Sequence, residues 1–195
     1  MVGATTIAPV RPTPTAATLL AVMAVLALPS AAPAAPGDRT IRISASKKIL
    51  SVGAFRLGSD PYVRAAVAAF GAPTSVAESD GGSCDIRWHG IGVHIAFATF
   101  HAPGSACEAE IGKAQVIRVG GSKAAGWHTN RGLYIRATRR TMHRKYNARR
   151  TGRGRYRLLG TESPYDPSRT DEVLGTRISN GRVSSFVLSP FAAGE

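Results

Sequence analysis

The sequence is poor in cysteine, methionine and tryptophan, with two, three and two respectively, and aromatic residues make up only 7%. Two cysteines are too few for a disulfide-framework miniprotein or a zinc finger. Acidic residues are also scarce, 12 against 25 Lys and Arg, for a formal net charge of +13. The longest apolar run, Ala16–Leu28 (AATLLAVMAVLAL), falls short of the roughly 20 residues a transmembrane helix needs. Several catalytic signatures are missing: H-E-x-x-H, G-x-S-x-G, the phosphate-binding P-loop and the dinucleotide fingerprint. The histidines (His89, His94, His101, His128 and His143) lack metal-ligand spacing, and His89 and His94 would point to opposite faces of a continuous strand. Ser44-Ala45-Ser46-Lys47 matches S-x-x-K in form, but the S-D-N and K-T-G elements of the matching acylases are absent. The expectation is therefore a protein with no catalytic set, no metal and no cofactor.

What is present begins with an address. Arg11 precedes the apolar run, and Pro29 and a small-residue segment reading A-x-A at Ala32-Pro33-Ala34 follow it. This is the layout of a secretory signal, here residues 1–35, cleaved after Ala34 or Ala35, with a retained N-terminal anchor as the competing reading. The expected location is secreted or extracytoplasmic, in the cell envelope, with no transmembrane span after cleavage. In an oxidising compartment Cys84 and Cys107 are expected to form a disulfide.

Hydrophobic content of 44% suits a folded domain, and the length suits one domain or two small repeats. After a leader and edge strand at 36–54 (TIRI at Thr40–Ile43), a first unit is expected at 55–113. Ser59 or Asp60 would cap a helix opening at Pro61, with Val63, Ala66, Val67 and Phe70 on its buried face and Gly71 and Pro73 ending it. Strands are predicted at Thr74–Glu78, Cys84–Trp88 and Ile91–Phe100. A second unit, 114–195, carries a strand at Ala114–Val119 and a helix over Arg139–Ala148 with Thr138 as its N-cap and Met142 and Tyr146 on one face. Strands Tyr156–Leu159, Val173–Ile178 and Arg182–Leu188 follow, the last two joined by an Asn180-Gly181 turn. The predicted fold class is α+β: two helix-plus-three-strand units forming antiparallel sheet with helices packed on one face.

Leu57-Gly58-Ser59, Val63 and Phe70-Gly71-Ala72-Pro73, followed by Trp88 and Asn180-Gly181-Arg182-Val183, resemble the motifs of SmpA/OmlA-type proteins and their tandem-repeat relatives, the β-lactamase-inhibitor-protein-like exported proteins. The resemblance covers residues 55–188. The second unit departs from it, lacking the G-x-P ending and carrying basic residues in its place. The family implies protein binding rather than catalysis.

The most unusual feature is Arg131–Arg157, which holds ten Arg, one Lys and no acid, with Tyr134, Tyr146 and Tyr156 interleaved. Guanidinium pairs bidentately with carboxylate and phosphate. The candidate anion- or partner-binding residues are Arg136, Arg139, Arg140, Arg144, Lys145, Arg149, Arg150, Arg153 and Arg155. The competing reading of this stretch is a solvated basic face. Two functions follow. The first is a non-enzymatic binding protein whose basic face at 131–157 meets an acidic protein, an anionic surface polymer or lipid headgroups; nucleic acid is not the expected partner. The second is a small exported hydrolase with an unrecognised active site.

Overall fold

A computed structural model describes residues 37–79, 82–99, 104–163 and 165–190; the predicted signal segment lies outside these. In chain order the elements are β1 (Thr40–Ile43), β2 (Ile49–Val52), β3 (Phe55–Arg56), α1 (Val63–Phe70), β4 (Ser75–Ser79), β5 (Ser83–Trp88), β6 (Val93–Ala98) and β7 (Lys113–Gly120). Then come β8 (His128–Thr129), α2 (Arg139–Lys145), β9 (Arg149–Gly152), β10 (Arg155–Glu162), β11 (Thr170–Ser179) and β12 (Arg182–Leu188). Single-turn 3-10 helices occupy His89–Ile91 and Ser122–Ala124.

The expected α+β class is overturned. The described residues are mostly β, with two sheets and two short helices. The helices have only eight and seven residues, too few turns to roof a sheet. A four-stranded sheet of order β3-β2-β1-β8 stands beside an eight-stranded one of order β4-β5-β6-β7-β12-β11-β10-β9. The larger sheet is two four-stranded antiparallel meanders that meet where β7 pairs with β12. Segment Thr40–Ile43 is also not an edge strand: it pairs antiparallel with β2 on one side and parallel with β8 on the other. Its parallel partner lies far down the chain, in a two-residue strand with no periodicity to announce it.

The alternation read from the sequence sets the faces of the large sheet. Cys84, Ile86 and Trp88 of β5 point to the core with Val93, Ile95 and Phe97 of β6. On the same side, Phe70 of α1 packs edge-on against Phe55, Trp88 and Trp127, linking the small sheet to the large one. Both tryptophans are buried. Their indole N–H groups donate to the carbonyls of Gly71 (Trp88, 2.8 Å) and Ile91 (Trp127, 2.9 Å), which removes the cost of enclosing a polar group. Cys84 and Cys107 are joined, Cα atoms 5.1 Å apart.

Helix α1 starts two residues later than predicted. Pro61 and Tyr62 are held extended, the Pro61 carbonyl accepting from Ala114 and Tyr62 bridging to Lys113, so the helix begins at Val63 without a side-chain cap. Helix α2 is capped as its sequence indicates, with Thr138 accepting from the Thr141 N–H, and it buries Met142 with Tyr146 at its end. At the β11–β12 turn Asn180 and Gly181 both adopt positive φ, 51° and 72°, as a tight hairpin requires.

Candidate functional site: a basic cleft on the open sheet face

One face of the large sheet is covered by the core; the other carries its cations in register. Directly opposed residues run Ser75–Arg87–His94–Arg118–Val187–Gly175–Arg157–Arg149, one from each of the eight strands. A second row, Gly120–Ser185–Arg177–Arg155–Gly152, lies beside it. Opposed side chains in an antiparallel pair share a face, so arginines distant in sequence become neighbours. Arg87, His94, Arg118, Arg155 and Arg177, with Lys123, line a cleft of about 630 Å³, and Arg157 and Arg149 continue the first row beyond it.

Small residues, Gly92, Gly120, Gly121, Ser122 and Ser185, are among those lining the cleft. Gly120 sits opposite Ser185, and a Cβ at position 120 would come within 2.6 Å of the Ser185 Cβ. Gly175 serves a different neighbour: a Cβ there would lie 2.0 Å from Glu172 Oε1, so its absence lets the Glu172 carboxylate rest on the sheet. Among the described residues that line the cleft, Glu172 is the single acid. Burial raises its pKa above the ordinary value of 4.5, while Arg157 and Arg155 pull it back down. Beside the cleft, the His94 Nε2–H donates to Asp85 Oδ1 at 2.7 Å.

The electrostatics are unbalanced. Among the described residues Arg87, Arg118, Arg155 and Arg177 form no ion pair with any carboxylate. Arg155 stands directly opposite Arg177, and Arg157 opposite Arg149. Like charges opposed across strands are destabilising by some tenths of a kcal/mol up to about 1 kcal/mol per pair. A ligand with carboxylate or phosphate groups would relieve that repulsion.

The residues singled out from the sequence are divided by the fold. Arg155 lines the cleft, and Arg149 continues its first row. Arg150 opposes the buried Tyr156, turns away from that row, and donates to the Gly152 carbonyl. Arg153 occupies the exposed β9–β10 turn, while Arg140, Arg144 and Lys145 are exposed on α2. Arg139 caps the Tyr156 ring at 5.3 Å, and the Arg136 carbonyl accepts from Arg182. Arg87, Arg118, Lys123, Arg177 and Glu172 lie outside the basic stretch and were not identified from the sequence. The available signal was a single arginine alternating with apolar neighbours inside a strand, as in Ile86-Arg87-Trp88 and Ile117-Arg118-Val119.

Among the described residues no cluster of three His, Cys, Asp or Glu side chains could hold a metal, and no helix is long and apolar enough to cross a membrane. No protein-family model, curated protein or solved structure matches the chain.

Proposed function

We propose that the chain is a secreted or cell-envelope binding protein, without enzymatic activity, that takes an anionic partner in the cleft on the open face of its large sheet. The observation that carries this reading is the in-register row of arginines with no carboxylate partners. Among the described residues the side chains of Arg87, Arg118, Arg155 and Arg177 make no hydrogen bond or ion pair, whereas Arg139 stacks on Tyr156 and Arg157 donates to the Thr170 carbonyl. The signal-like N-terminus and the Cys84–Cys107 bridge support export, and the family resemblance points toward binding.

The test is elution from phosphocellulose in a salt gradient. Arg118→Glu/Arg177→Glu is expected to elute at markedly lower salt than the parent, because attraction to phosphate is screened over about 8–10 Å at physiological ionic strength. Arg140→Glu/Arg144→Glu, which changes the same net charge on α2, is expected to shift elution less. A larger shift for the α2 variant would move the binding face to the helix.

The alternative, a small exported hydrolase, draws on the His94–Asp85 pair beside the cleft. That arrangement orients an imidazole, as a general base requires. Turnover of ester or phosphodiester substrates by the parent and its loss in His94→Ala would favour the hydrolase; turnover that survives the substitution would remove the pair from consideration.

A further inference from the structure

We infer that the cleft is bipartite and selects a linear polyanion whose charged groups stand in two sets separated by a neutral segment, with Glu172 as the specificity-determining residue between them. This rests on the anionic-partner reading above and narrows it to one kind of ligand.

The row of opposed residues has a gap. Arg87 and Arg118 form one basic group on β5 and β7, on either side of His94, whose imidazole is held by Asp85. The next two positions are Val187 and Gly175, which carry no charge, and the cations resume at Arg157 and Arg149. The second row carries cations only on the far side, with Gly120 and Ser185 uncharged on β7 and β12 and then Arg177 and Arg155 on β11 and β10. The two groups are two to three strands apart, which is about 10–14 Å at the usual spacing of about 4.8 Å.

The gap is filled by a charge of the opposite sign. Glu172 rests its carboxylate over Gly175, in the space a side chain at 175 would take. Burial raises its pKa, and Arg157 and Arg155 oppose that by favouring the ionised form. A phosphate or carboxylate placed at the centre would meet this carboxylate; a hydroxyl-bearing or aliphatic linker would not. The ligand that fits therefore carries charge on both sides of the centre and none in it.

The ends of the row argue for an extended chain rather than a globular acidic partner. It terminates at Ser75 on β4 and Arg149 on β9, the two edge strands of the sheet. The β4 residues are all exposed, so among the described residues no wall closes that end. A linear molecule can lie across the strands and leave at either side.

The experiment is calorimetric titration of the full folded chain with methyl phosphate, inorganic tripolyphosphate and a series of alkane-α,ω-diyl bisphosphates of increasing length. Affinity is expected to peak when the two phosphates stand about 10–14 Å apart, exceeding methyl phosphate by at least about tenfold through the second contact. Glu172→Gln is expected to raise affinity for tripolyphosphate several-fold and leave the best bisphosphate within about twofold. Arg118→Gln is expected to abolish the length preference while weak monophosphate binding at the other group persists. Salt-sensitive binding with no dependence on spacer length, or weaker tripolyphosphate binding in Glu172→Gln, would overturn the bipartite site and leave the anionic-partner reading standing. No binding of any probe would overturn both.

Discussion

Glu172 brings the chemistry of this protein down to one side chain. It is half-buried in the cleft it lines, and that burial raises its pKa above 4.5. The folded chain thus holds this proton more tightly than the unfolded chain. The resulting stabilisation is complete below the unfolded value of 4.5 and is lost as pH rises through the higher folded value. Glu172→Gln keeps the shape and removes the titration. Its stability relative to the parent is expected to rise between about pH 4 and pH 7, measured by urea denaturation at both ends of that range. A pH-independent difference would show that the carboxylate is not held as described. None of this was visible in sequence, where Glu172 is one of a pair of adjacent acids with Asp171. What marks it is the missing side chain three residues on at Gly175, a relation made by the strand and not by composition.

At the scale of elements, the legible parts are those whose signal is local. Thr138 is a helix-capping residue in the sequence and caps α2 in the structure. Its replacement by alanine is expected to cost about 1 kcal/mol, read as a lower denaturation midpoint with an unchanged slope; a variant as stable as the parent would contradict the capping role. Asn180-Gly181 is equally self-contained, because both residues tolerate the left-handed backbone of the turn. The strands of β5 and β6 were readable because one face is buried and one is open. Pairings between distant segments were not. The parallel contact of β1 with β8 joins Thr40 to His128, and β8 is only two residues long. The same long-range pairing that hid the small sheet made the helices look like the main cover of the large one. The late start of α1 has a similar origin: Pro61 and Tyr62 are drawn into a bridge with the start of β7, which overrides the favourable cap sequence before them.

Across the whole molecule, the question raised by the composition is where an excess of 13 positive charges goes. The stretch Arg131–Arg157 holds much of it in sequence, but the fold shares that stretch between α2, the β9–β10 turn and the open sheet face. The cleft then gathers Arg87, Arg118 and Arg177 from outside it. Charge concentration in sequence and in space are therefore different things here, and the spatial one defines the binding surface. The most direct test is amide chemical-shift mapping of the labelled full chain during titration with an alkane-α,ω-diyl bisphosphate whose phosphates stand about 10–14 Å apart. The account predicts the largest shifts on β7, β11 and β12 around Arg118, Arg177 and Ser185, with the exposed surface of α2 nearly unchanged. Shifts concentrated at Arg140 and Arg144, with the sheet face unmoved, would contradict it.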